Sequence, residues 1–185
     1  MTRALLAATA AFALLAGCGG ATEDQAPTNA ADAAANATGN SATPTAAAAF
    51  PTAAVSGEQA KKVMHERHEN YEEFGDSMKV LSRELKSATP DLAAVRQNAA
   101  TYTRLGPQLL SWFPPGSGPE AGKTHAKAEI WQKPDDFAAK ARAFNQAATA
   151  FEAAAQGSDV AAIRAAHADL GKSCKACHDL YRAKD

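Results

Sequence analysis

From about residue 57 onward, apolar and aromatic side chains recur at alternating steps of three and four residues. Steps of this kind place side chains on one face of an α-helix. Further runs begin at Leu92, Phe137 and Val160, and the first run consists of Met64, Arg67, Tyr71, Phe74, Met78, Leu81 and Leu85. The pattern predicts four amphipathic helices. Four such helices joined by short connections predict an all-α, antiparallel four-helix bundle.

Capping residues and prolines indicate where the first two helices begin and end. Ser56-Gly57-Glu58-Gln59 fits a capping box, and the first helix is predicted to run from there to about Ser87. Thr89-Pro90 is interpreted as the N-cap and the first helical position of the second helix. The second helix is expected to continue to about Phe113, with a kink at Gly106-Pro107.

The second half of the folded region contains a loop and two more helices. The loop is predicted to include Ile130-Trp131 and to reach Lys133. Pro134 is predicted to open the third helix, which Gly157 ends. Ser158-Asp159 is predicted to open the fourth.

The N-terminus has the composition of an export signal. A short basic start is followed by an apolar run, Ala4–Ala16, which is too short to span a bilayer. The run ends in Leu15-Ala16-Gly17-Cys18, which resembles the lipobox of bacterial lipoproteins. Residues 1–17 are therefore predicted to be a lipoprotein signal peptide, with lipidation at Cys18; an ordinary signal peptide cleaved nearby is the alternative. The predicted location is the periplasmic side of a bacterial membrane, and Gly19 favours the outer membrane.

Residues 18–56 are rich in alanine, threonine, asparagine and proline and lack a sustained apolar period. Such a segment buries too little surface to offset the entropy of ordering, so it is expected to be a disordered tether with a reach of about 35 Å. Residues 57–185 are predicted to form a single folded domain. The net charge of −1 and the lack of a basic stripe argue against nucleic-acid binding.

Cys174-Lys175-Ala176-Cys177-His178 spells C-x-x-C-H, the attachment site of a c-type haem. In such a site two thiols bond to one porphyrin, and the histidine offers a ring nitrogen to the iron. A zinc site would need further ligands nearby, but the chain has only one other cysteine, Cys18, far away in sequence. A thioredoxin-like pair usually opens a helix after a strand, and no strand is predicted. The sequence therefore predicts one covalent haem per chain, bonded to Cys174 and Cys177, with His178 as the axial iron ligand.

Arg67 interrupts the apolar face of the first helix, between Met64 and Tyr71. A buried guanidinium needs an anion, and the neighbouring Glu66 and Glu69 lie on other faces. A haem propionate would serve through a charge-assisted pair. The alternative is an arginine that extends into solvent at the end of the bundle.

The chain from Glu58 to Arg182 resembles the cytochromes c′, the class II c-type cytochromes. A C-x-x-C-H motif at the C-terminal end distinguishes this class from ordinary cytochromes c. The resemblance rests on Arg67-His68-Glu69-Asn70-Tyr71, Gly75, Met78-Lys79, Phe113–Gly118, Thr124–Trp131 and Gly171–Arg182. Three positions differ: His125 and Ala128 stand where arginine and proline are expected, and His167 stands where phenylalanine is frequent.

The resemblance implies a homodimer and a five-coordinate haem c in each bundle. It also implies a role for each matching residue. Cys174 and Cys177 would carry the porphyrin, and His178 would be the proximal ligand. Arg67 would meet a propionate and Tyr71 would fill the distal side, while Arg182 would flank the proximal face.

Other histidines are candidates for a sixth iron ligand. His167 precedes His178 by eleven residues on one helix, about 16 Å of rise, so it cannot reach the far side of the same iron. His68 is the stronger candidate because it partly shares the face of Tyr71, and His125 lies on a loop that could fold over a propionate. An empty sixth position is nevertheless expected, because a neutral tyrosine is a poor ligand.

Two functions fit such a site. A five-coordinate iron behind an apolar lid would bind NO and CO, which favours NO capture or detoxification. The alternative is a periplasmic electron-transfer cytochrome. An enzyme is not expected, because no general base beside an open substrate pocket is evident.

Overall fold

A computed structural model describes residues 49–184, which contain the four long helices that the sequence pattern predicts. The predicted signal peptide, Cys18 and the linker as far as residue 48 lie outside the described residues. Within residues 49–184 none of the helices has the length and hydropathy needed to cross a membrane. The elements are α1 (Gly57–Glu84), α2 (Leu92–Leu105), a 3₁₀-helix (Gly106–Trp112), α3 (Glu129–Gln132), α4 (Pro134–Ala155) and α5 (Val160–Tyr181).

Aspartate carboxylates cap two of the helices. Asp91 accepts hydrogen bonds of 2.9 and 3.2 Å from two backbone N–H groups in the first turn of α2. Asp159 does the same for α5, at 2.9 and 3.1 Å, as predicted. The assignment of Thr89 as the N-cap of the second helix is wrong, because the Asp91 carboxylate satisfies the free N–H groups and α2 begins after it. Ser56 is the N-cap residue of α1, but its side chain makes no capping hydrogen bond within the described region.

The chain between α2 and α4 differs from the prediction in two places. The α-helix ends at Leu105 and continues as a 3₁₀-helix to Trp112, instead of running as α-helix to Phe113. The change falls at the predicted interruption, where Pro107 lacks the N–H that would continue the α-helical pattern. The segment with Ile130-Trp131, predicted as loop, forms the short helix α3.

The helices pack in the order α1 on α2, α2 on α4, and α4 on α5. In the part of the chain that the structure describes, no Cα atom of α1 lies within 8 Å of a Cα atom of α5. The first and last helices are therefore splayed apart, and a cavity lies between them. The core that joins the other pairs consists mainly of Phe74, Leu81, Val95, Ala99, Tyr102, Phe144, Ala148, Phe151, Ile163 and Leu170.

Side chains connect α5 to α1 at the end of the bundle away from the C-x-x-C-H motif. The Arg164 guanidinium donates hydrogen bonds of 2.8 Å to the carbonyl oxygens of Leu85 and of Ser87. The Nε2 atom of His167 lies 3.2 Å from the Sδ atom of Met78. These contacts hold the two helices together at one end, so that they diverge toward the end that carries the motif.

Residues 49–56, which we call the strap, precede α1 without helix or strand structure and contact the bundle. The ring of Phe50 packs edge to face on Phe137, with centroids 6.2 Å apart. The backbone N–H of Val55 donates to the carbonyl oxygen of Pro115 at 2.8 Å. Gly116 has φ = +84°, and a Cβ atom there would overlap the carbonyl oxygen of Val55. The strap is thus the part of the predicted linker that touches the folded domain.

Candidate haem site

The space between α1 and α5 is a cavity of about 680 Å³ with mostly apolar walls. Its volume lies in the range of roughly 300–1,000 Å³ that is usual for cofactor pockets. The lining residues from α1 include Met64, Arg67, His68, Tyr71, Phe74, Gly75 and Met78. Those from α5 include Ser173, Cys174, Cys177, His178 and Tyr181. Further rings in the lining are those of Tyr102, Phe113, His125, Phe137 and Phe144. The cavity therefore brings together the predicted thiols, imidazole, guanidinium and phenol.

The chemically active residues of the C-x-x-C-H motif line this cavity from the last turns of α5. Cys174 and Cys177 are half-buried. Burial raises the pKa of both thiols, that of Cys177 to about 11, so both are protonated near neutral pH. Burial, and then the positive charge of Arg182, lowers the pKa of His178. A lowered pKa favours the neutral imidazole, which is the form that binds a metal.

Arg67 is only 4% exposed, so the alternative of an arginine that reaches solvent is excluded. Its guanidinium donates to the Trp112 carbonyl (3.3 Å), the Ser117 hydroxyl and carbonyl (3.2 and 3.0 Å) and the Thr124 hydroxyl (3.2 Å). It also lies over the Phe113 ring, 4.7 Å from the centroid. All these hydrogen-bond partners are neutral. The Glu120 carboxylate acts on the Arg67 charge but accepts no hydrogen bond from it among the contacts of the described residues, which leaves a role for an anionic group of a ligand.

Tyr71 lies on the α1 side of the cavity, within a group of aromatic rings. Its ring packs edge to face against Phe74, Trp112 and Phe113, with centroids 6.0, 5.7 and 6.4 Å away. Burial raises the pKa of Tyr71, so that its hydroxyl is neutral near pH 7. Around Tyr71 the α1 wall is therefore aromatic with one neutral hydroxyl, while Arg67, His68 and Glu72 also line the α1 side.

The candidate sixth ligands lie in three different places. The side chain of His68 is 61% exposed at the rim of the cavity, and its Nε2 atom lies 3.3 Å from the Glu72 carboxylate. His125 also lies at the rim, on the loop before α3. His167 is half-buried at the end of the bundle where side chains of α1 and α5 are in contact. Its ring centroid lies 5.6 Å from that of Phe151, as expected for a core residue.

The loop before α3 is fastened to the end of α5 by an antiparallel β-bridge between Ala126 and Arg182. Backbone hydrogen bonds from Lys127 to Tyr181, at 3.0 Å, and from Ala183 to His125, at 2.8 Å, flank the bridge. This pairing keeps the loop against the helix turn that carries the motif. Arg182 lines the cavity at this point.

Residues 62–182 match the protein family described as Cytochrome C′. The chain belongs to the cytochrome c′ family. It is 36% identical over 130 residues to cytochrome c-554 of Cereibacter sphaeroides, covering 69% of this chain and 84% of that protein. The structure is similar to that of cytochrome c′ from Thermochromatium tepidum, with a TM-score of 0.64 and 30% identity over 71% of this chain and 100% of that one. It is also similar to a nitric oxide complex of a cytochrome c prime variant from Alcaligenes xylosoxidans, with a TM-score of 0.62 and 29% identity over 68% of this chain and 97% of that one.

Members of this family carry covalently attached haem c, and this chain is accordingly a c-type haem protein. The predicted four-helix bundle and the predicted cofactor are thereby confirmed. The cavity fits the group, because it offers two thiols and an imidazole on one wall and aromatic rings on the other. It also holds a buried guanidinium, Arg67, whose hydrogen-bond partners are all neutral.

Sequence reasoning missed the two side chains that hold Arg67. Ser117 is fully buried and Thr124 half-buried, and both lie in the loop that follows the 3₁₀-helix. A signal for Ser117 is present, because it is the single hydroxyl in a run of prolines and glycines from Pro114 to Pro119. No comparable signal marks Thr124, since hydroxyl side chains are common in exposed loops.

Proposed function

We propose that Cys174 and Cys177 attach the haem, that His178 binds its iron, and that the sixth position is open to an uncharged diatomic gas such as NO or CO. The observation that carries this proposal is the composition of the α1 wall. Tyr71 and the neighbouring rings of Phe74 and Phe113 line the cavity, whereas His68 lies at the rim beside Glu72.

The bound haem supplies reversible coordination of a gas at iron, and the residues of the chain control what reaches it. The rings of Tyr71, Phe74 and Phe113 form an apolar lid that excludes water and anions but admits small uncharged molecules. Arg67 offers its buried positive charge to a propionate. Burial, and then the positive charge of Arg182, lowers the pKa of His178 and favours the neutral imidazole that serves as a ligand.

The nitric oxide complex of the related cytochrome c prime variant supports NO as the ligand class. In this proposal the protein captures NO and thereby limits its free concentration, and it turns over no substrate. Membership of the family also supports a homodimer, as the sequence resemblance implies.

The second candidate function is electron transfer through a six-coordinate haem. The observation that favours it is the position of His68, three residues from Tyr71 and at the rim of the same cavity. A rotation of the His68 ring away from Glu72 would bring an imidazole nitrogen toward the cavity. The contact with Glu72 opposes that rotation, but even as an ion pair an exposed contact of this kind is worth only about 0–1 kcal/mol.

A substitution of Tyr71, on the α1 side of the cavity, provides the test that separates the two functions. Replacing Tyr71 by alanine removes the ring that a gas must displace, so CO should associate with the reduced protein roughly tenfold faster, as for the loss of about 1.4 kcal/mol of barrier. The reduced protein should be high-spin before CO is added. Flash photolysis of the CO complex measures the rate, and absorption spectroscopy gives the spin state.

His68→Ala is the matched control on the same helix. It should leave both the reduced spectrum and the rate of CO association close to those of the unaltered protein. A low-spin reduced spectrum that disappears in His68→Ala would show that His68 is the sixth ligand. That outcome would assign the protein to the electron carriers.

We also propose that the protein is a lipoprotein on the periplasmic side of a bacterial membrane, with the outer membrane favoured. The support is the sequence Leu15-Ala16-Gly17-Cys18 at the end of an apolar run. Periplasmic export agrees with a covalently attached haem, because bacterial c-type haem is attached outside the cytoplasm.

Lipidation has a direct test in the native host. Mass spectrometry of the mature N-terminus should find an acylated Cys18, and the protein should fractionate with membranes. In Cys18→Ala the acyl chains are lost, and with them about 0.8 kcal/mol of membrane affinity per buried methylene group, so the mass spectrum should show no acylated N-terminus. An unmodified N-terminus at another residue, in a protein found wholly in the soluble fraction, would contradict the proposal.

A further inference from the structure

We propose that the strap, residues 49–56, is a working part of the haem site and that Phe50 is a positioning residue for it. The inference rests on the proposed attachment at Cys174 and Cys177. The family match begins at residue 62, so the strap lies before it.

The strap is fixed to the bundle at two points. Near its beginning, the half-buried Phe50 packs edge to face on Phe137 at the edge of the core. Near its end, the Val55 N–H donates to the Pro115 carbonyl at 2.8 Å. The second point depends on Gly116, because any larger residue there would collide with the strap backbone. Two independent contacts, one apolar and one polar, therefore define where the strap lies.

Phe137, the ring that Phe50 contacts, lines the cavity and packs against two further lining residues. Phe137 is 1% exposed and packs edge to face on Tyr181, with centroids 5.1 Å apart, and on Phe113, at 4.9 Å. Tyr181 lies one helical turn after Cys177 and belongs to the turn that ends the motif. Phe113 carries the Arg67 guanidinium on its face. The strap is thus one aromatic ring away from the motif turn and from the residue proposed to meet a propionate.

This arrangement gives Phe50 a consequence beyond stability. Phe137 lines the cavity, and Phe50 closes the wall behind it against solvent. The contact with Phe50 restricts the movement of the Phe137 ring. Phe137 in turn packs on both Tyr181 and Phe113 and so fixes the positions of these two rings relative to each other. Without Phe50, Phe137 gains freedom to move outward, and the cavity widens on the side between the motif turn and Arg67.

The test uses the purified, haem-loaded full chain and four variants. Phe50→Ala removes the ring, and Val55→Pro removes the N–H that bonds to Pro115. Phe50→Tyr keeps the ring and is the conservative rescue, and Ala53→Ser alters an exposed strap residue that makes neither contact. Two measurements are made on each: amide hydrogen exchange of the peptides that cover residues 49–56, and the Soret circular dichroism of the haem with the rate of CO association.

Phe50→Ala and Val55→Pro should each accelerate exchange in the strap about tenfold, the order expected for loss of one such contact. Both should change the Soret dichroism and the CO rate in the same direction, whereas Phe50→Tyr and Ala53→Ser should match the unaltered protein. Faster exchange with an unchanged Soret signal and CO rate would overturn the proposal, because the strap would then be only a cover. Unchanged exchange in Phe50→Ala would overturn it as well. Failure of the attachment at Cys174 and Cys177 is distinguishable, since the preparation would then release its haem into acid acetone.

Discussion

A chain in which Cys174 and Cys177 are both replaced by alanine is expected to lose all covalently held haem. The two thiols line the cavity from one face of α5, and within the described residues no other cysteine is present. The unaltered protein should keep its haem through extraction with acid acetone, and the double variant should release all of it into the organic phase. The pyridine haemochrome spectrum of each fraction quantifies the result.

The single variants sharpen this experiment. Cys174→Ala and Cys177→Ala should each retain one bond to the porphyrin, and a single remaining bond shifts the α-band of the pyridine haemochrome. Cys18→Ala is the matched control, because it removes a cysteine that lies far from the motif in sequence and should leave attachment intact. Haem that stays with the polypeptide in the double variant would show that another residue forms the covalent bond.

Replacing Arg67 by methionine is expected to destabilise the haem-loaded protein by about 3 kcal/mol. Methionine keeps much of the apolar volume but removes four hydrogen bonds to neutral acceptors, of which the Trp112 and Ser117 carbonyls and the Ser117 hydroxyl are buried. A buried acceptor that loses its donor costs about 1–3 kcal/mol, and part of this cost is offset because a desolvated charge is no longer buried. Urea unfolding followed by circular dichroism measures the difference.

Arg164→Met is the matched control for this change. Arg164 also donates to two backbone carbonyls, those of Leu85 and Ser87, but it is exposed and water can replace it. The expected loss is therefore about 1 kcal/mol or less. Arg67→Lys should not restore stability, because one ammonium group cannot reach four acceptors that are arranged around a planar guanidinium. Equal losses in Arg67→Met and Arg164→Met would contradict the assigned role of burial.

Features that depend on neighbours in sequence could be predicted. The face of α5 and the C-x-x-C-H motif follow from spacing within a few turns of one helix. The Asp159 cap follows from one carboxylate beside the first turn. The second helix shows the limit of such reasoning, because Thr89 and Asp91 compete for the same role within three residues. The carboxylate of Asp91 accepts two N–H groups there, which sequence spacing alone does not reveal.

Features that depend on distant residues could not be predicted. The partners of Arg67 lie 45 to 57 residues away in sequence. The splay between α1 and α5 depends on how α1 packs on α2 and how α5 packs on α4. No residue of α1 or α5 alone therefore predicts it. The contact of Phe50 with Phe137 was hidden for a different reason. A single aromatic residue in an alanine-rich segment has no periodicity, and composition therefore placed it in the tether.

The 3₁₀-helix between Gly106 and Trp112 determines which side chain packs against Tyr71. A 3₁₀-helix rises about 2.0 Å and turns about 120° per residue, compared with about 1.5 Å and 100° for an α-helix. Over seven residues the segment gains about 3.5 Å in length and about 140° in angular phase relative to a continued α-helix. Without that phase shift Trp112 would point away from Tyr71, which its ring now contacts. The support that Trp112 gives to the Tyr71 and Phe74 rings therefore depends on Pro107, five residues upstream, and an insertion or deletion within this segment would remove that support while leaving every aromatic residue in the sequence.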